Sequence, residues 1–277
     1  MKRNNESDAP TDIKKIKSED NSNNKITKLT GWTDFPSPLL VLTPKWIAAK
    51  NTTIPQNIID DYIQLDSNGN NYISIQTNIL TADQKQQFLH HEATLDRYQV
   101  EFMGRPIPRY ECIFGDEFNY SGVKRPYLKN TPAHIQTLID ICKSVADKRI
   151  LEITGQPNKF NKQSNGIDIL YSKDFSNGGS LGMHKDNESM KKSKKDHWGC
   201  IMIYSVGQTR WLRVKRDSDG HYYNIPTIDN SLILMYGDTF QHPAPDGYTH
   251  GIEKLTSDDV VGSRVTVNIR FQAFDNE

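Results

Sequence analysis

The sequence predicts an α+β protein in which helices come first and a double-stranded β-helix, or jelly roll, forms the core that follows. Two observations lead there. Apolar residues recur at helical spacing in the first half of the chain, and from about residue 165 onward the pattern changes to short β-rich runs separated by turn residues, as in an all-β barrel or sandwich. The N-terminal helices are expected to pack on one side of that double sheet.

Residues 1–30 are mainly Asn, Lys, Asp and Ser with almost no large apolar side chain, a composition that cannot offset the entropy of ordering, so a disordered tail is expected. Its short basic run, Lys14, Lys15 and Lys17, reads as a nuclear address or as solvated charge. Order is expected from about Gly31, giving one domain over 31–277, divided into an N-terminal extension over 31–97 and a main body over 98–277. A short helix is expected around Pro55 to Ile63. A second follows Thr81, whose partner Gln84 completes a capping box, and Phe88 and Leu95 carry it to about Asp96. A third is expected from about Pro132 to Asp147, with Ile135, Leu138, Ile139, Ile141 and Val145 on one face.

The strand runs are 166–171, 198–206, 209–215, 221–228, 231–236 and 264–274, with a hairpin loop at 217–220 and a turn at Asp229-Asn230. A chain of 277 residues with 35% apolar content can bury one sizeable core. No run approaches the roughly 20 apolar residues of a membrane span, and the chain start lacks an apolar signal core. A soluble, intracellular monomer, nuclear or cytoplasmic, is expected. Cys112, Cys142 and Cys200 form no CxxC pair and suggest free thiols in a reducing compartment. Zero net charge excludes a protein that coats nucleic acid through bulk positive charge.

Chemistry concentrates late in the chain. His184 and Asp186 stand two apart in Met183-His184-Lys185-Asp186, so an extended segment entering a turn aims both at one ion. A second histidine from a distant strand completes a 2-His-1-carboxylate face with open positions, a set suited to non-haem iron(II). His250 in Tyr248-Thr249-His250-Gly251-Ile252 is the candidate, and His242 competes with it. His90, His91 and Glu92 fall on a helix, where neighbours one or two apart point to different faces, and read as exposed surface. His134, His197 and His221 lack comparable partners. Arg264 and Arg270 lie six apart in a strand pattern and therefore share a face. A buried guanidinium needs an anion, and a dicarboxylate such as 2-oxoglutarate supplies one through paired hydrogen bonds.

The ordered set of HxD, then His250-Gly251-Ile252, then Arg264 with Arg270, resembles the AlkB family of iron(II)- and 2-oxoglutarate-dependent dioxygenases, which dealkylate nucleic-acid bases. Ile107-Pro108-Arg109, Phe114-Gly115-Asp116, Tyr120-Ser121-Gly122, Thr154-Gly155 and Phe160-Asn161 extend the likeness upstream, so that it covers about 98–274. The resemblance implies Fe(II), 2-oxoglutarate and O2 as cofactor and co-substrates. It implies that His184, Asp186 and His250 hold the metal, that Arg264 pairs with the distal carboxylate and that Arg270 supports that pocket. Arg109, Tyr120 and Glu188 are then substrate contacts, with Tyr120 stacking on a flipped base; on general grounds Tyr120 also suits a loop-packing role. The reaction implied is oxidative demethylation of alkylated bases in DNA or RNA, releasing formaldehyde, succinate and carbon dioxide.

Two departures stand out. The family's Asn-x-Tyr ahead of the HxD is replaced by Tyr171-Ser172-Lys173-Asp174-Phe175, where Tyr171 is the candidate substitute, and the family's asparagine two residues past the first arginine is Thr266. They keep open a dioxygenase acting on a protein or small molecule, and a silent nucleic-acid-binding homologue. Lys191, Lys192, Lys194 and Lys195, with Arg210, Arg213, Lys215 and Arg216, are the candidate phosphate-contacting rim.

Overall fold

The computed structural model describes residues 52–53, 62–66, 70–102, 104–115, 119–120, 123–124, 127–157, 162–163, 167–172, 180–186, 198–241, 247–252 and 264–272. The polar tail, the expected start of order near Gly31, and residues 55–61 of the first expected helix lie outside them. The elements in chain order are β1 (Thr52–Thr53), β2 (Tyr62–Gln64), β3 (Tyr72–Thr77), α1 (Ala82–Glu92), β4 (Tyr98–Phe102), β5 (Arg105–Phe114), β6 (Asn119–Tyr120), β7 (Val123–Lys124), α2 (Ala133–Thr154) and β8 (Lys162–Gln163). Then come β9 (Ile167–Ser172), β10 (Leu181–His184), β11 (Trp198–Gly207), β12 (Arg210–Arg216), β13 (Tyr222–Thr227), β14 (Ser231–Tyr236), β15 (Tyr248–Ile252) and β16 (Arg264–Gln272). No described helix is long and apolar enough to cross a membrane.

Strands β9 to β16 divide between two sheets. Four of them stand side by side in the larger sheet as β14-β11-β16-β9, and the other four as β13-β12-β15-β10 in the smaller one. Neighbours in each set are antiparallel, which is the double-sheet arrangement of a jelly roll. The larger sheet is extended by β3 and β2 beyond β14, and by β5 and β4 beyond β9. Strands β2 and β3, upstream of residue 98, are therefore built into the same sheet.

Alternation along the central strands separates two cores. On β11, Cys200, Met202, Tyr204 and Val206 face the helices, while Ile201 and Ile203 face the smaller sheet. Strand β14 repeats this with Leu232 and Leu234 against Ile233 and Met235. Phe88 of α1 and Ile135, Leu138, Ile139, Cys142, Ala146 and Ile150 of α2 fill the helix-side core, where the Phe88 ring meets Tyr204 edge-on at 5.7 Å. Between the sheets, Leu212, Val214 and Ile225 close the second core.

Several boundaries differ from expectation. Tyr62 and Ile63, expected to end a helix, are extended in β2, because Tyr62 and Ile63 pair with Ser74 and Ile73 of β3. The Thr81 capping box forms: Thr81 accepts from the Gln84 amide at 3.2 Å and donates its own N–H to Gln84 Oε1 at 2.9 Å. That helix stops at Glu92 rather than near Asp96, since buried Arg97 folds back onto both the carboxylate and the carbonyl of Glu92. Helix α2 runs seven residues past Asp147 to Thr154, its apolar face continuing through Ile150 until Gly155 takes the left-handed conformation (φ 68°) that ends it. Strands β4 and β5 have no counterpart in the sequence reading; in β5, Pro106 stands opposite Glu101 of β4, before the pairing with β9 that begins at Tyr110.

Asn230, in the expected turn between β13 and β14, ties the two halves together. Its Oδ1 accepts from the Leu80 amide at 3.0 Å and from the Tyr204 hydroxyl at 3.1 Å, and its Nδ2 donates to the Leu80 carbonyl at 2.7 Å. Its φ of 55° lies in the region Asn tolerates better than other side chains. Replacing it loses three hydrogen bonds at about 1 kcal/mol each and adds backbone strain of about 1 kcal/mol. Asn230→Ala is therefore expected to lower stability by about 3–4 kcal/mol in urea unfolding, and a loss below about 1 kcal/mol would contradict this role.

Candidate metal centre

Strand β16 carries the chemistry because its two faces differ in kind. Val265, Val267, Ile269 and Phe271 join the helix-side core, so Arg264, Thr266, Asn268 and Arg270 alternate onto the face turned toward the smaller sheet. The expectation that Arg264 and Arg270 share a face holds. Opposite them, β10 and β15 pair with His184 directly across from His250, and His250 is in turn in register with Val214 of β12. His184 ends the extended strand β10, and Asp186 just past it is anchored by its amide, which donates to the Phe240 carbonyl at 3.2 Å. Lys185, between the two, pairs with Asp217 of the β12–β13 hairpin.

Close approach of β10 and β15 depends on Gly251. A Cβ there would lie 2.6 Å from the Leu181 carbonyl oxygen and 3.1 Å from Gly182 backbone atoms. The glycine beside His250 is thus a packing requirement that brings the two histidine strands together.

His184 Nε2 lies 3.6 Å from Asp186 Oδ1, and His250 Nε2 lies 3.3 Å from Asp186 Oδ2. All three side chains offer a ligand atom within 4.8 Å of the others, the one such group among the described residues. Two ligands about 2.1 Å from one ion stand roughly 3.0–3.4 Å apart, so the set fits a single small cation. Two further features support that fit. His184 Nδ1 contacts the Gly182 carbonyl at 2.9 Å, which fixes the proton on Nδ1 and leaves the Nε2 lone pair facing the cluster. Asp186 Oδ1 is buried without a hydrogen-bond partner among the described residues, as a coordinating oxygen would be.

The electrostatics follow from burial and proximity. Burial pushes the Asp186 carboxyl up, but the closeness of His250 and then of His184, together with the Arg270 guanidinium 3.7 Å from Oδ1, holds it well below the usual carboxylate range. Burial, then the neighbouring His184, pushes the His250 pKa down, toward the unprotonated form that a metal ligand requires. Arg270 is buried beside Asp186, so it braces the metal cluster more directly than the sequence reading placed it.

Arg264 sits at the other end of the same face. It donates to Ser205 Oγ at 3.2 Å and has no carboxylate partner among the described residues. Burial and then Arg210 push its pKa down to about 9. Thr266 is buried on this face, in register with Ser205.

The remaining expected residues are dispersed. Arg109 of β5 lies 3.7 Å from Glu111, which also accepts a hydrogen bond from Tyr98. Tyr171 lies in β9 in register with Val265 and Tyr110, and Tyr120 lies in β6. Glu188, His197, His242 and Lys191–Lys195 fall outside the described residues. His90 and His91 are exposed while Glu92 is buried against Arg97, so that trio forms no cluster. His134 stacks on His91 at 5.3 Å and is pushed down to about 4, first by burial and then by His91. The expected phosphate rim is not assembled as drawn: Arg210 is buried and faces the sandwich interior, Arg216 is paired with Asp219, and Arg213 stacks over Tyr222 at 4.2 Å. The parity of β12 held the signal for Arg210, which shares a face with Leu212 and Val214.

No family model matches the chain, and no curated protein matches it in sequence. Among solved structures it is similar to OsALKBH1 (11% identity, TM-score 0.49, covering 72% of this chain and 97% of that one). It is also similar to an oxidoreductase of the 2OG-Fe(II) oxygenase family from Burkholderia pseudomallei (13%, 0.49, 76% and 88%) and to a Pseudomonas putida prolyl-4-hydroxylase (10%, 0.44, 73% and 93%). Likeness at this level does not carry function from those proteins to this one.

Gly251→Ala leaves all three donors in place while forcing β10 and β15 apart. It is expected to weaken Fe(II) binding by about 10–100-fold in anaerobic calorimetry. Unchanged affinity would show that the close approach of these strands does not set the site.

Proposed function

We propose that the chain is an Fe(II)- and 2-oxoglutarate-dependent dioxygenase that demethylates alkylated bases in nucleic acid. The observation that carries the dioxygenase part is the interior face itself: two imidazoles and a carboxylate converge within ligand distance, and a half-buried arginine without a carboxylate partner among the described residues stands further along the same face. A 2-His-1-carboxylate set leaves positions for a chelating co-substrate and oxygen. Arg264 supplies charge for the far carboxylate of a five-carbon 2-oxo diacid, and Ser205 orients its guanidinium.

Bound there, Fe(II) with 2-oxoglutarate and O2 would supply oxidative decarboxylation coupled to hydroxylation of a substrate C–H bond, and hydroxylation of an N-methyl group releases formaldehyde. The protein's own part is positioning and enclosure. His184 and His250 present their Nε2 atoms to the cluster, His250, His184 and Arg270 together hold the Asp186 carboxyl low, and Phe240 packs edge-on against His250 at 5.6 Å.

The nucleic-acid part rests on the motif resemblance and on Arg109, which alternates onto the same face of β5 as Glu111 and Ile113, away from the helix-side residues Cys112 and Phe114. A protein or small-molecule substrate is favoured by one observation, the engagement of Arg210, Arg213 and Arg216 within the fold.

Purified protein given Fe(II), 2-oxoglutarate and a panel of methylated oligonucleotides, single- and double-stranded, is expected to release formaldehyde and succinate in equal amounts. His184→Ala is expected to abolish turnover while the unfolding transition persists. Succinate coupled only to peptides or metabolites would overturn the base-demethylase reading, and full activity in His184→Ala would overturn the metal assignment.

A further inference from the structure

We infer that residues 31–51 dock across the outer face of the smaller sheet, where the Asn224 side chain holds one of their peptide units, and so cover the sheet that carries His184 and His250.

Alternation on β12 and β13 defines that face. Leu212, Val214 and Ile225 join the core between the sheets, so Trp211, Arg213 and Lys215 of β12 point the other way, beside their register partners Pro226, Asn224 and Tyr222 of β13. A face open to water would leave such side chains exposed, yet none of the six is: five are half-buried and Asn224 is fully buried. Even the indole nitrogen of Trp211 is buried. Helices α1 and α2 do not supply the cover, because they pack on the far side of the larger sheet. A sheet face shut off from solvent has a further layer against it.

The path of the chain points to which segment that is. Thr52–Thr53 of β1 lie parallel to β13, with Thr52 in register with Tyr222, so the residues ahead of them arrive beside this face. Residues 31–51 contain Leu39-Leu40-Val41-Leu42 and Trp46-Ile47, whereas 1–30 and 187–197 are mainly polar or charged. At about 3.3 Å per residue, 21 residues reach up to roughly 70 Å. The sheet from β1 to β10 is four strand spacings, or about 19 Å, across. Asn224 adds a specific fit, since neither its Oδ1 nor its Nδ2 has a hydrogen-bond partner among the described residues. Leaving a buried amide unpaired is costly, and its one acceptor and its donor match the N–H and C=O of an extended peptide. Docked there, the segment braces from outside the sheet in which β10 and β15 lie.

The test is limited trypsin digestion of the full chain, followed site by site by mass spectrometry. Cleavage after Lys45 is expected to run roughly 100-fold slower than after Lys17 or Lys28 of the polar tail. Trp211→Asp is expected to speed the Lys45 cut by at least about tenfold while Lys143 in α2 stays protected. The reciprocal measurement uses Asn224→Cys, whose thiol reports on the face because Cys112, Cys142 and Cys200 are buried. Its maleimide labelling is expected to be roughly tenfold faster once Leu40→Asp and Leu42→Asp are added. Should Trp211→Asp fail to fold, this labelling carries the test. Equal cleavage after Lys45 and Lys28 in the wild-type chain overturns the inference, as does protection that Trp211→Asp leaves unchanged or labelling that the leucine substitutions leave unchanged. Protection lost on dilution assigns the cover to a second copy, and labelling slowed only by added oligonucleotide assigns it to nucleic acid; either result overturns the inference too.

Discussion

The carboxylate of Asp186 is buried among two imidazoles and a guanidinium, and the other features of the interior face are arranged around that contact. An ionised carboxylate taken out of water costs several kcal/mol unless its surroundings replace the lost hydration. Here the replacement comes from three different strands, β10, β15 and β16, so the site exists only when the two sheets close on one another. Gly251 permits the required approach of β10 to β15, and the pairing of Lys185 with Asp217 holds the residue between the first two candidate ligands. Folding and site formation are in this sense one event.

The same closure explains why a polar strand is tolerated in the middle of the larger sheet. Strand β16 lies between β11 and β9 and would ordinarily be apolar on both faces. Its helix-side residues are apolar. On the other face, the apolar packing between the sheets is supplied by β3, β11, β14, β12 and β13, through Ile73, Ile75, Ile201, Ile203, Ile233, Met235, Leu212, Val214 and Ile225. That leaves the β16 side of the sandwich to Arg264, Thr266, Asn268 and Arg270. The apolar half supplies stability, and the polar half supplies an enclosed, charged cleft at the junction of two sheets.

What the sequence revealed and what it hid divide along a physical line. The HxD pair, the shared face of Arg264 and Arg270, the Thr81 capping box and the Asn230 turn are local or follow from a period of two, and each is found where the sequence places it. Arg210 was grouped with its basic neighbours by charge, although its alternation with Leu212 and Val214 assigns it to the interior. The end of α2 was drawn too early because the apolar face weakens after Asp147, yet Ile150 continues it and Gly155 stops it. Strands β4 and β5 escaped the sequence reading, and Pro106 and Pro108 of β5 lie before its pairing with β9 begins at Tyr110. The choice of His250 over His242 could not be made from spacing alone. The motif resemblance pointed to His250, and the strand pairing sets it opposite His184, 66 residues earlier in the chain, while His242 lies outside the described residues.

The most direct measurement is a crystal structure of the protein grown with Mn(II) and 2-oxoglutarate, with the metal located by its anomalous scattering. The account predicts one strong peak within bonding distance of His184 Nε2, an Asp186 oxygen and His250 Nε2, with the 2-oxo acid chelating it and its far carboxylate at Arg264. A metal bound elsewhere in the chain, or a diacid lying away from Arg264, would contradict it.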